Sequence, residues 1–196
     1  MTFEQDKKNI LGKKDKSFIG EIDKPIQKLV NLINSKPDFY TTSSCSGRVV
    51  LIKAREKKEE NLFVWTSHDK IELEEFASVL KRIAEEYKDE LIYFKMEPCL
   101  IVVAARNLEK GYEILKIGRE KIGMRRSGIM TAGRKVIVEI MANEKLELPL
   151  IDKGKILVDE EFLKLLIKEA NKKLEKGWGK IKVFEEIMDN DTILFC

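Results

Sequence analysis

The chain has 196 residues, 43% of them apolar and 36% charged, and a net charge of +3. That length suits one ordinary domain with a genuine core, and no run of about 18 apolar residues is present to form a membrane-spanning helix. The positive balance is too small to name a nucleic-acid partner by itself, although Lys7, Lys8, Lys13, Lys14 and Lys16 crowd the start of the chain.

Residues 2–17 are polar and Lys-rich, with Phe3, Ile10 and Leu11 as their apolar anchors, and read as a docking or fraying helix. Asp23 followed by Pro25 opens a helix to about Asn34. Its stripe Ile26, Leu29, Val30 and Ile33 has the i, i+3, i+4, i+7 spacing of a core-facing helix. Strand signals follow at Phe39–Thr42, Val49–Ala54 and Asn61–Thr66, the last two separated by the charged turn Arg55–Glu60. Glu72–Tyr87 is amphipathic, and strands are expected at Leu91–Glu97 and Cys99–Ala105 on either side of Pro98. A helix capped near Asn107 runs to about Lys121 and closes at Gly123. Arg126–Thr131 and Arg134–Met141 read as a hairpin around Ala132-Gly133. Pro149 and Gly154 mark a loop, Glu160–Lys176 is the last strong helix, and Ile181–Ile187 and Thr192–Phe195 fit helix or strand equally. The class expected is α+β: a mixed β-sheet with helices packed on it and two candidate duplicated strand–helix–strand units. Residues 1–196 are expected to form a single domain, with N-terminal helices over 1–36, a motif-bearing sheet core over 37–145 and a helical extension over 146–196.

Four clusters carry chemistry. The string Tyr40-Thr41-Thr42-Ser43-Ser44-Cys45-Ser46-Gly47-Arg48 gathers hydroxyls, a glycine and a guanidinium between two apolar runs. It reads either as a Ser/Gly hairpin turn or as a ligand cradle, since Arg48 offers a planar fork for phosphate or carboxylate. Trp65 and His68 sit where a strand runs out. His68 is either a base near neutral pH, since an unperturbed imidazole titrates at about 6.5, or a surface or capping residue, and Trp65 is either a core residue or a stacking platform. Glu97-Pro98 breaks a strand and leaves Glu97 as a proton acceptor, a hydroxyl partner or a hairpin corner. Gly123-Met124-Arg125-Arg126-Ser127-Gly128 places two guanidiniums and Ser127 after a helix, suited to an anion or to plain solvation. No GxGxxG or GxxxxGK[ST] occurs. A single His and the lack of CxxC or HExxH argue against a metal. Cys45, Cys99 and Cys196, odd in number and far apart, suit a reduced cytoplasmic protein.

Together these clusters resemble the tRNA wybutosine-synthesising protein 3 family in its archaeal form. The resemblance runs through Pro37–Arg48, Trp65 with His68, Lys95-Met96-Glu97-Pro98, Arg106 and Gly123–Gly128, and it covers the body of the chain from Pro37 to about Met141. It implies an α+β fold that is not a Rossmann methyltransferase. It also implies transfer of a methyl group from S-adenosyl-L-methionine to nitrogen-4 of a demethylated wyosine-type tricyclic base, beside the anticodon of phenylalanine tRNA. On that reading His68 and Glu97 are the catalytic candidates. Thr42, Ser43, Ser44, Ser46, Gly47, Arg48, Trp65, Arg106, Arg126, Ser127 and Gly128 are the candidates for holding cofactor or base. The partner is the anticodon arm of tRNA, no membrane is involved, and the location is cytoplasmic. Two other classes compete: a non-catalytic tRNA-binding accessory protein of the same pathway, and a small-molecule enzyme with a Ser/Arg anion pocket.

Overall fold

The computed structural model describes residues 2–12, 22–54 and 62–190. Lys13, Lys14, Lys16, the charged turn Arg55–Glu60, Asn61, Thr192–Phe195 and Cys196 lie outside the described residues. The chain divides into two compact units, one built from residues 1–46, 99–143 and 177–196, the other from 47–98 and 144–176.

In the first unit, α1 (Phe3–Leu11) starts with a reciprocal cap: Thr2 Oγ1 accepts from Gln5 N–H, and the Gln5 side chain accepts from Thr2 N–H. Helix α2 (Lys24–Ser35) buries Ile26, Leu29, Val30 and Ile33, as their spacing predicts. Its first-turn residue Pro25 fits because the missing N–H would have had no partner there. Strands β1 (Phe39–Cys45), β5 (Leu100–Ala105), β7 (Val136–Met141) and β6 (Gly128–Ala132) form one sheet in the order β1-β5-β7-β6. Ile101, Val103 and Ala105 alternate on β5, and Val136, Val138 and Ile140 on β7, so one face of the sheet shares its core with α2. Helix α4 (Leu108–Lys116) is capped by Asn107, whose Oδ1 accepts from Lys110 N–H at 2.9 Å, and it runs into a π-helical turn, Ile117–Lys121. Gly123, at φ +76°, ends it as expected.

In the second unit, β2 (Arg48–Lys53), β3 (Phe63–Ser67), β4 (Leu91–Glu97), β8 (Leu146–Asp152) and β9 (Lys155–Ile156) form a sheet in the order β3-β2-β4-β8-β9. Val49, Val50 and Leu51 are all 0% exposed, so β2 is covered on both faces. Helix α3 (Leu73–Glu86) buries Phe76, Leu80 and Ile83. The start of α5 (Glu160–Asp189) buries Leu163, Leu166, Ile167, Ala170 and Leu174. Asn171 on α5 accepts from Ile71 N–H at 3.0 Å and donates to Ile71 C=O at 2.8 Å, satisfying a backbone that no ladder reaches.

The class is α+β, as expected, and every ladder among the described residues is antiparallel. The strand–helix–strand stretches fall one in each unit. β3 and β4 flank β2 with α3 as the crossover, and β5 and β6 flank β7 with α4 as the crossover. Two local expectations change. The Pro149–Gly154 loop is a hairpin of β8 and β9, and Pro149 opposes Tyr93 beside a register irregularity, the kind of position where a strand tolerates proline. Lys153 and Gly154, at φ +48° and +76°, form its two-residue turn. Ile181–Ile187 is helix, since α5 continues through Gly177 and Gly179 and buries Ile181, Phe184 and Met188 one turn apart.

A Cβ on Gly118 would sit 2.8 Å from Ile140 Cγ2, and on Gly179 it would meet nothing within 4 Å. Gly118→Ala is therefore expected to cost about 1–3 kcal/mol by overpacking. Gly179→Ala should stabilise by about 0.5–1 kcal/mol through helix propensity. Urea unfolding of both variants checks the contrast.

Candidate active site

Neither of the hairpin readings offered for the signature clusters holds. β1 and β2 lie in different sheets, and so do β4 and β5. The Thr-Thr-Ser-Ser-Cys string is the end of a strand, Ser46-Gly47 is the passage to the next sheet, and Pro98-Cys99 is the passage back. Gly47 is buried at φ +97°, a conformation that residues with a Cβ rarely adopt.

In the first unit the string ends beside the start of β5: Ser44 opposes Ile101 and Cys45 opposes Leu100, while Leu100 opposes Met141 on β7. Register slips between Thr41 and Ser43, making Thr42 the extra residue of a bulge, with its Oγ1 donating to Val102 C=O at 3.4 Å. Thr42 and Ser43 are exposed and Ser44 half-buried, which leaves their hydroxyls at the surface. Ser46 differs. It is 1% exposed, and its N–H and Oγ donate to Asp23 Oδ2 at 2.7 and 3.1 Å. Asp23 therefore starts α2 without capping it and anchors the loop instead.

Ser127 is likewise buried. Its hydroxyl donates to Met124 C=O at 2.5 Å and accepts from Met141 N–H at 3.0 Å, pinning the Arg125-Arg126 turn to the same end of the sheet. Arg126 is exposed and makes no ion pair among the described residues, and Gly128 opens β6 with no atom within 4 Å of where its Cβ would be. The Arg126 turn lies across β5 and β7 from Ser44, three strand spacings or about 14 Å.

Arg106 does not join them. It follows the far end of β5, about 17 Å along the strand from Leu100. Its Nε donates to Asp38 Oδ1 at 2.6 Å and Nη2 to Pro37 C=O at 3.2 Å, while Nη1 pairs with Glu4 and the guanidinium lies 4.8 Å from the Phe3 ring centre. This is a clamp for α1. The hydrogen bond from Arg106 holds the Glu4 carboxyl down at about 2 and raises Arg106 itself. A second contact that sequence reading missed joins α1 to the sheet: Tyr40 Oη donates to Asp6 Oδ2 at 2.7 Å, and Lys135 Nζ donates to the same oxygen at 2.6 Å and to Tyr40 Oη at 2.9 Å. Burial above all raises the Tyr40 hydroxyl, and Lys135 is raised because Asp6 and Tyr40 together outweigh its own desolvation. No one-dimensional signal ties Asp6 to Lys135, 129 residues apart.

A depressed carboxylate stabilises above its unfolded pKa and loses that contribution as pH falls through its folded value. Wild type should therefore exceed Glu4→Gln in thermal midpoint above about pH 4.5, and the difference should vanish as pH approaches about 2. Paired melts across that range check the sign.

In the second unit the candidates share one end of the sheet. Arg48, first on β2, opposes Glu97, last on β4, and Val49 opposes both Met96 and Ser67, so β3 ends there and runs into His68. Arg48 Nε donates to Glu97 Oε2 at 2.6 Å, and its guanidinium lies 4.7 Å from the Phe63 ring centre. The Ser67 hydroxyl accepts from Asp69 N–H at 3.2 Å and shapes the bend in which His68 sits half-buried. Trp65 is half-buried on β3, with its ring 5.2 Å from that of Phe76.

Residues 5–190 match the family model described as Methyltransferase TYW3. The chain belongs to the Methyltransferase TYW3 family. A relative from Archaeoglobus fulgidus, named a tRNA(Phe) 7-((3-amino-3-carboxypropyl)-4-demethylwyosine(37)-N(4))-methyltransferase, is 34% identical over 172 residues, 87% of this chain and 84% of its own. A tRNA wybutosine-synthesizing protein 3 homolog of Danio rerio is 32% identical over 194 residues, 95% of this chain and 74% of its own. The solved structure of a Pyrococcus horikoshii protein superposes with a TM-score of 0.84 at 26% identity, covering 95% of this chain and 96% of that one. Membership makes this TYW3 protein a methyltransferase, and its antiparallel α+β sheets are not a Rossmann fold.

Proposed function

We propose that this protein methylates nitrogen-4 of a demethylwyosine-type tricyclic base at the position 3′ of the anticodon in phenylalanine tRNA, with S-adenosyl-L-methionine as donor. The observation that carries the reading is the match across residues 5–190 together with relatives at 34% identity that bear that activity in their names. A cytoplasmic location belongs to the same reading. It is supported by Cys45 and Cys99, which are not joined in a disulfide.

The donor set of the first unit fits the cofactor's polar ends. The exposed hydroxyls of Thr42 and Ser43, with Ser44, suit ribose or amino-acid groups, and the guanidinium of Arg126, which makes no ion pair among the described residues, suits a carboxylate or a phosphate. When bound, S-adenosyl-L-methionine supplies an electrophilic methyl group on its sulfonium. His68, where β3 runs out, accepts the proton of the ring nitrogen. Glu97 already accepts from Arg48, so its part is to hold that guanidinium at the sheet end, aimed at a phosphate of the tRNA. Trp65, braced by Phe76, offers a stacking face to the base. Ser46 and Ser127 act as anchors of the two loops, and Arg106 as the clamp of α1. Incubation with methyl-labelled S-adenosyl-L-methionine and tRNA carrying the demethylated base tests this. Label transferred to tRNA supports the reading, and tRNA that binds but gains no label favours an accessory role instead.

A further inference from the structure

We infer that the outer face of α4, its π-helical turn, the loop after it and the tip of the β6–β7 hairpin form a contact surface for the phosphate backbone of an RNA strand. The inference rests on the RNA substrate proposed above and assigns where that RNA is gripped. Between Lys116 and Arg134 the sequence has six cations, Lys116, Arg119, Lys121, Arg125, Arg126 and Arg134, against one acid, Glu120. That segment is +5 in a chain whose total is only +3, so the remainder is net −2. All six cations are exposed, and none makes an ion pair among the described residues. By contrast Arg48, Lys95, Arg106, Lys110 and Lys135 are each held by a carboxylate at hydrogen-bonding distance.

The geometry explains why these charges face outward. Gly111 and Gly118 bring the helix down onto β7, where an added Cβ would meet Val136 Cγ1 at 2.7 Å and Ile140 Cγ2 at 2.8 Å, so the opposite face is left to solvent. Those two glycines are seven residues apart, about 10 Å along the axis, which is the length of about three phosphates of one strand. Arg134 sits at the hairpin tip, two residues before β7 begins to run past Gly111, and Arg125 and Arg126 follow the other end at Gly118. The helix dipole favours cations at a C-terminus and would account for Lys116, Arg119 and Lys121. It gives no reason for Arg125, Arg126 or Arg134. Tyr112, 58% exposed and one turn before Lys116, adds a ring on the same helical face, the combination that single-stranded nucleic acid uses.

The test is equilibrium binding of an unmodified phenylalanine tRNA transcript from about 50 to 200 mM salt. For Lys116→Ala/Arg119→Ala/Arg134→Ala the slope of log affinity against log salt should shrink by about two to three, near one per lost phosphate contact. Tyr112→Ala should weaken binding about fivefold or more with the slope unchanged. Lys155→Ala/Lys168→Ala, on the other unit, should match wild type, and thermal melts confirm that each variant is folded. Wild-type affinity and slope in the folded triple variant overturn this surface alone. Wild-type protein without salt-dependent tRNA affinity overturns the surface and the RNA substrate together. Wild type that binds with the expected slope and loses it in the variant, yet transfers no methyl label, sinks the methyltransferase reading and supports the surface.

Discussion

Replacing His68 with Ala is expected to lower the rate of methyl transfer by about 10²–10⁴-fold, the usual contribution of a positioned proton acceptor, while tRNA affinity stays at the wild-type value. The basis is placement: β3 ends opposite Val49, one residue past the Arg48–Glu97 pair, so His68 shares a sheet end with both. Arg48→Ala should behave differently. It removes a cation and strands Glu97, so it should weaken tRNA binding and reduce its salt dependence by about one phosphate contact. Glu97→Gln keeps a hydrogen-bond acceptor for Arg48 and should cost less than Glu97→Ala, because the guanidinium keeps its orientation. Single-turnover rates at saturating tRNA separate these effects. A His68→Ala enzyme with an unchanged rate would remove His68 from the chemistry.

Phe76→Ala should destabilise the protein by about 3–5 kcal/mol, the range for deleting a buried aromatic ring, out of a total stability of about 5–15 kcal/mol. Phe76 is 1% exposed, and its ring lies 5.2 Å from Trp65 and 5.8 Å, edge-on, from Phe94. It carries the α3 face onto the sheet and backs one side of Trp65. The variant should also change Trp65 emission, which is resolved by working in a Trp178→Phe background because the chain has two Trp. Phe76→Leu keeps most of the volume and should cost less than the Ala variant. A loss below about 1 kcal/mol with unaltered emission would show that Phe76 supports neither the core nor Trp65.

The helices were readable because their apolar stripes repeat at 3.6 residues: Ile26, Leu29, Val30 and Ile33 on α2, and Phe76, Leu80 and Ile83 on α3, all turn inward. The Gly123 stop and the Asn107 cap were legible from local backbone chemistry. The second half of α5 was not. Gly177 and Gly179 weaken any local helix signal, and only the tertiary burial of Ile181, Phe184 and Met188 overrides it. Pro149 misled for the same reason, since a strand that tolerates proline is recognised by its neighbours and not by its own residues. The two sheets are interleaved along the chain, and nothing local to Ser46-Gly47 or Pro98-Cys99 announces a passage from one sheet to the other.

The candidate site was legible as residue types and less so as roles. Ser43 and Ser46 look alike in sequence, yet one hydroxyl is exposed and the other is spent on Asp23. Arg106 and Arg126 look alike too. One is clamped by Asp38 and Glu4, and the other makes no ion pair among the described residues. What separates them is the long-range partner, and a carboxylate 68 residues away leaves no trace in local pattern.

The most direct measurement is tandem mass spectrometry of nucleosides from phenylalanine tRNA bearing the demethylated tricyclic base, after incubation with the protein and deuteromethyl S-adenosyl-L-methionine. The account predicts one deuteromethyl group on that nucleoside, with fragments placing it on nitrogen-4 of the tricycle. A nucleoside of unchanged mass, or a methyl group carried elsewhere on the tRNA, would contradict it.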